Sequence, residues 1–114
     1  MEHPATAHWG LRISNTDLRK LQRGFQPQDM EDRWECSADT PDKQGNIVVH
    51  WKRSWTGSKE IELQVKRLGD GDGAEIAEIT WNKGTGATEL DEAAGKKLAT
   101  QLCLGFLKTE KWDA

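Results

Sequence analysis

The chain has no tyrosine, two cysteines and three prolines among its 114 residues, and it has no apolar run approaching the roughly 20 residues of a membrane-spanning helix. Each scarcity excludes something. Small secreted scaffolds that depend on disulfides carry more cysteine than this. Cys36 and Cys103, far apart in the chain, therefore read as two small buried hydrophobes rather than as a redox or metal pair. An excess of one charge is also missing: 16 Lys and Arg stand against 19 Asp and Glu, a net charge of −3. A surface for nucleic acid or anionic lipid calls for a clear basic excess, so neither partner is expected. The opening MEHPATAHWGLRIS lacks the apolar centre of a signal peptide, which sets a cytoplasmic location as the expectation. No internal repeat or composition break divides the chain, and one domain over residues 1–114 is expected, with 1–8 loose.

Against these absences stand six tryptophans. Hydrophobic residues make up 35% and charged residues 31%, a polar balance. Disordered chains nevertheless lack the aromatic residues whose burial offsets chain entropy. The reading is a small folded domain.

Its elements follow from periodicity. Trp9, Leu11 and Ile13 alternate with Gly10 and Arg12, suggesting a short extended piece. SNTDLRKLQRGF reads as a short helix: Ser14 and Asp17 have capping-box spacing, Leu18 and Leu21 share a face, and Gly24 falls just past the end. Strands are expected at Arg33 to Ala38, Ile47 to Thr56, Glu60 to Leu68 and Glu75 to Trp81. Turn-rich ADTPDKQGN and GDGDG lie between them, and short links imply an antiparallel meander. A long helix from about Glu89 to Lys108 follows, capped by Thr88 with Asp91. Its apolar stripe runs through Leu90, Ala94, Leu98, Leu102 and Gly105, with Phe106 at the edge. The fold class is thus α+β: a four-stranded antiparallel meander covered on one face by a long C-terminal helix, with a short N-terminal helix. Cys103, Leu104 and Leu107 point away from the stripe and need a second cover, from the N-terminal helix or from another subunit.

HWKRSWTGSKE, residues 50–60, concentrates the unusual chemistry. A two-residue Gly57-Ser58 turn would mix apolar and charged residues on both faces of the hairpin. Shifting the pairing by one residue, through a longer loop or a bulge, places Val49, Trp51 and Trp55 with Ile61, Leu63 and Val65. His50, Lys52 and Ser54 then share the wet face with Glu60, Glu62 and Gln64. In this register Arg53 falls on the inner face between two tryptophans. It must stack on an indole, meet a carboxylate or reach out to water, unless it holds a ligand.

Other chemistry is weaker. His50 and Ser54, four residues apart on a strand, are roughly 13 Å apart, too far to act as a nucleophile pair. GDGDG lacks the third ligand of an EF-hand loop, and no metal is expected. NKGTGATEL sets Gly84 and Gly86 before a helix start, a place that can hold an anion, but neither G-x-G-x-x-G nor a Walker lysine is present and no cofactor is expected. Bases could stack on Trp51 and Trp55 beside Lys52, Arg53, Lys66 and Arg67, yet the favoured register turns both indoles inward and sets the cations among Glu60 and Glu62.

DRWECSAD at 32–39, followed by VVHWKRSWTG at 48–57, resembles a family of small, mostly bacterial domains of unknown function. That family shares a D-x-W strand and an aromatic strand ending in R-S-W-T-G, here Arg53, Ser54, Trp55, Thr56 and Gly57. Its members occur alone or beside ADP-ribosylglycohydrolase-like sequence. Where the family carries histidine before that motif, this chain has Lys52. The resemblance implies an uncharacterised domain and transfers no catalytic residue.

Two functions are therefore expected as alternatives. One is a non-catalytic binding or protein-interaction module, with an unknown protein partner or as a homodimer. The other is an anion- or nucleotide-handling domain, related to ADP-ribose, that uses Arg53, Trp51, Trp55 and the Gly84–Gly86 loop.

Overall fold

The computed structural model describes residues 3–28, 32–68, 73–84, 90–110 and 112. Five strands form one antiparallel sheet: β1 (Pro4–Ile13), β2 (Trp34–Ala38), β3 (Ile47–Arg53), β4 (Lys59–Arg67) and β5 (Ala74–Asn82), in the order β1-β5-β4-β3-β2. Two helices, α1 (Asn15–Arg23) and α2 (Glu92–Leu102), cover one face. The α+β class and the β2–β5 meander are as expected, but the sheet has five strands, not four.

The additional strand runs from the segment expected to be loose, residues 1–8, through the short extended piece expected over Trp9 to Ile13. β1 pairs with β5 along its length, Pro4 opposite Asn82 and Ile13 opposite Ala74. Its helix-facing row, Ala5, Ala7, Trp9 and Leu11, packs half-buried against the core. Alanine carries too little apolar contrast to mark an alternating strand. Its partner also lies at the far end of the meander, beyond any local window.

The helices differ from expectation in their ends. Ser14 caps α1, accepting from the Asp17 N–H at 3.1 Å, and Gly24 follows the last turn. α2 is capped by Asp91, whose carboxylate accepts from the Ala94 N–H at 2.8 Å; Thr88 lies outside the described residues. α2 is shorter than the expected Glu89–Lys108 helix. It widens into a π-helical turn over Cys103–Leu107 and stops at Lys108, which is left-handed at φ 60°. The buried stripe is Gly95, Ala99 and Leu102, one step round from the one expected. Gly95 decides this, because a Cβ there would lie 2.9 Å from the Trp81 ring, so only glycine admits this crossing of helix over strand.

Cys103 and Leu107 are buried within the chain itself, with α1 packed on the π-helical turn, and Leu104 alone of the three is exposed. The core joins Val49, Trp51, Ile61, Leu63, Val65, Ile76 and Ile79 of the sheet to Leu18, Leu21, Ala99 and Leu102 of the helices. Both cysteines are free and fully buried. Burial pushes the Cys36 thiol up to about 12 and raises Cys103 as well. Since the thiolate is the nucleophile, a thiol reagent at mildly alkaline pH is expected to label neither cysteine until the chain unfolds. Prompt labelling of either would show the core open at that point.

Candidate functional site

β3 ends at Arg53, directly opposite Trp34 of β2. The guanidinium lies over the Trp34 ring, 4.3 Å from its centroid. Trp34 meets Trp51 edge-on at 6.4 Å and 80°, and Trp51 leans on Phe106 at 6.0 Å. A buried aromatic ladder thus supports the plane on which Arg53 stacks.

The turn that follows accounts for the R-S-W-T-G residues one by one. Gly57 N–H donates to the Arg53 carbonyl at 2.8 Å, and Arg53 N–H donates to the Ser58 carbonyl at 2.9 Å. Ser54 ties this turn to the lead-in of β2: its N–H donates to the Arg33 carbonyl at 2.9 Å and its hydroxyl to the Asp32 carbonyl at 2.7 Å. The Thr56 hydroxyl accepts from the Ser58 N–H at 3.2 Å, and Gly57 takes φ +72°. Trp55 is carried outward, 70% exposed. Arg33, Arg53, Trp55 and Thr56 together line an open cleft of about 470 Å³. Among the described residues, neither Arg33 nor Arg53 makes an ion pair.

The expected site is therefore rearranged. The hairpin does place Val49 and Trp51 with Leu63 and Ile61, and a bulge after Trp51 sets Lys52 opposite Lys59. Trp55, however, is not an inner residue: the strand ends at Arg53, and alternation of faces no longer applies in the turn. Arg53 keeps the helix-bearing face, being opposite Trp34, but at an exposed strand end with one indole beneath it rather than one on each side. Trp51 is fully buried and is not among the residues that line this cleft; it braces Trp34 from below. Gly84, at φ +77°, follows β5 and turns its N–H to the Asn82 side chain at 3.3 Å. It does not line the cleft, since β4 intervenes and spaces β5 from β3 by roughly 10 Å. Gly86 lies outside the described residues.

Arg33 is the cleft-lining residue that sequence reasoning misses. Its only signal is its place beside Trp34 in the D-x-W stretch, and it gains meaning from the pairing of Trp34 with Arg53. His50 stays apart from the cleft, on the opposite face of the sheet, with its Nε2 3.1 Å from the Asp39 carboxylate. A larger cleft of about 680 Å³ runs along α2 past Leu104 and Trp112, and there Lys96 pairs with Glu92 at 2.9 Å. Two cations with no carboxylate partner among the described residues thus set the Arg33–Arg53 cleft apart. No helix among the described residues is long and apolar enough to cross a membrane. No protein-family model, no curated protein and no solved structure matches the chain.

Proposed function

We propose that this chain is a non-catalytic binding module that takes an anionic ligand between Arg33 and Arg53, with a flat part of the ligand against Trp55. The observation that carries this reading is the shared cleft of two guanidinium groups that no described carboxylate neutralises. Guanidinium offers a rigid fork of donors to planar or tetrahedral oxyanions. Stacking on Trp34 fixes the plane of that fork before a ligand arrives, which lowers the ordering cost of binding. Trp55 supplies an exposed π-surface beside the fork.

The cleft lining favours binding over catalysis, because among the described residues its side chains are two cations, an indole and a hydroxyl. Of the anion-handling alternative, the part built on Arg53 and Trp55 is retained and the part built on the Gly84–Gly86 loop is dropped. The likeness to the uncharacterised R-S-W-T-G family falls on this same turn, so a shared binding role is part of the proposal, as is the cytoplasmic setting.

Titration with inorganic pyrophosphate and with ADP-ribose, followed by tryptophan fluorescence, tests the reading. Arg53→Ala is expected to weaken binding at least tenfold, since a charge-assisted hydrogen bond contributes about 1.5–3 kcal/mol and tenfold is about 1.4 kcal/mol. Arg53→Lys should recover only part of it. Trp55→Ala should weaken ADP-ribose more than pyrophosphate. An affinity unchanged in Arg53→Ala and Arg33→Ala, or no binding by the wild type, would remove the proposal.

A further inference from the structure

The two edges of the sheet are unlike. The outer edge of β2 is closed by Phe25, which exchanges both backbone hydrogen bonds with Cys36 at 2.9 Å each. The outer edge of β1 has no strand against it among the described residues. Natural edges are guarded by short length, lysine, inward charge, proline or a bulge, and β1 has the last two only on either side of Ala5 to His8, in Pro4 and in the bulge between His8 and Leu11. β1 is ten residues long and contains no Asp, Glu or Lys.

One bond identifies the backbone groups this edge offers. Lys83 N–H donates to the His3 carbonyl at 2.8 Å, continuing the register in which Pro4 faces Asn82 and Thr6 faces Thr80. Antiparallel pairs alternate between those that exchange hydrogen bonds and those that exchange none. His3, Ala5 and Ala7 therefore direct their backbone groups toward β5. Thr6 and His8 turn both N–H and C=O outward, and Pro4 turns out a carbonyl alone.

We infer that β1 is a self-association edge, on which a second copy of this chain pairs antiparallel about a two-fold axis at Ala7. This surface is independent of the arginine cleft. The register follows from the strand itself. With the axis at Ala7, Thr6 meets the partner's His8, and both are residues whose backbone groups point outward, so each pair exchanges two bonds. On the helix-bearing face Ala5 meets the partner's Trp9, large against small, and Ala7 meets its own copy. Pro4, without a donor, falls opposite the partner's Gly10, where φ +65° and a bulge interrupt the ladder anyway. Trp9 is only half-buried within one copy; its indole meets Trp112 at 6.5 Å, and Trp112 walls the cleft along α2. Edge pairing covers an apolar strip that one copy leaves open.

Sedimentation of the wild type is expected to show a dimer that dissociates on dilution. Thr6→Pro removes an outward N–H that the β1–β5 ladder does not use, together with the exposed hydroxyl bond to Thr80 at 2.8 Å. It is expected to give a folded monomer with tryptophan emission near wild type and a modestly lower melting temperature. Because that variant could also disturb β1, Ala7→Cys provides a second reading. Cα atoms of a non-bonded antiparallel pair lie about 4.5 Å apart, within disulfide reach. Mild oxidation should therefore cross-link Ala7→Cys to a covalent dimer, and leave the wild type and Arg12→Cys uncross-linked. A wild type that stays monomeric up to millimolar concentration would overturn the inference. So would a dimer that persists in folded Thr6→Pro, or the absence of a cross-link at Ala7→Cys.

Discussion

Asp17→Ala is expected to lower the unfolding free energy by about 3 kcal/mol, a large share of the roughly 5–15 kcal/mol that holds a domain together. Asp17 is fully buried in the first turn of α1. Its carboxylate accepts from the Glu110 N–H at 3.2 and 3.3 Å and from the Trp112 indole N–H at 3.0 Å. The helix N-terminus favours a negative charge at this place, and the two donors satisfy it. Truncation to alanine leaves the buried Trp112 indole N–H and the partly buried Glu110 N–H without their acceptor, and an unsatisfied buried donor costs about 1–3 kcal/mol. Asp17→Asn keeps the volume and one acceptor oxygen, but its amide nitrogen must then face a donor; about half the loss is expected. Urea unfolding measures both variants, and loss of hydrogen-exchange protection at the Trp112 indole locates the damage. A loss below about 1 kcal/mol for Asp17→Ala would show that the C-terminal segment is held by apolar packing rather than by this carboxylate. Since Trp112 packs against Trp9, the variant should also weaken association through β1.

The parts of this fold readable from sequence are those whose partners lie close along the chain. Ser14, Asp17, Leu18, Leu21 and Gly24 delimit α1 because capping and the 3.6-residue period act within one helix. β2 to β5 are readable because each strand pairs with the next. β1 is readable only as the extended piece from Trp9 to Ile13; its first half is not, since its partner is the last strand and the inward residues there, Ala5 and Ala7, are alanine. Asp17 shows the same limit from another side. Its spacing from Ser14 suggests a local capping role, while the groups it binds belong to Glu110 and Trp112, almost the whole chain away. In the candidate site, alternation puts Trp51 inside and Arg53 on the helix-bearing face, and both hold. It fails at Trp55, because a period of two applies only while the chain is extended and the turn has begun by Ser54. Arg33 gives no signal of its own, since what makes it part of a site is a cross-strand pair and a hydrogen bond from Ser54.

Gly24→Ala is expected to cost about 3 kcal/mol and to reach the arginine cleft, although Gly24 lines no part of it. The backbone there has φ +70° and ψ −163°, a region essentially reserved for glycine and costing another residue about 1–3 kcal/mol. Space is lacking as well: a Cβ would lie 2.3 Å from the Cys36 carbonyl oxygen. That oxygen accepts from the Phe25 N–H. Making room therefore means drawing residues 24 and 25 away from β2, losing the two Phe25–Cys36 bonds at about 1 kcal/mol each. Phe25 also packs on Phe106 at 5.0 Å, and Phe106 packs on Trp51, which braces Trp34 beneath Arg53. Loosening the first member of this ladder should let the Arg53 fork swing, so anion affinity should fall together with the unfolding midpoint. Gly57→Ala is the matching control. Its φ of +72° is nearly the same, yet nothing lies within 4 Å of the added methyl, so it should cost only the left-handed penalty of about 1–2 kcal/mol. If Gly24→Ala destabilises no more than Gly57→Ala, the contact with Cys36 is not what requires glycine. If it destabilises more but leaves anion affinity untouched, the aromatic ladder holds the fold and Arg53 is positioned by the 54–58 turn alone.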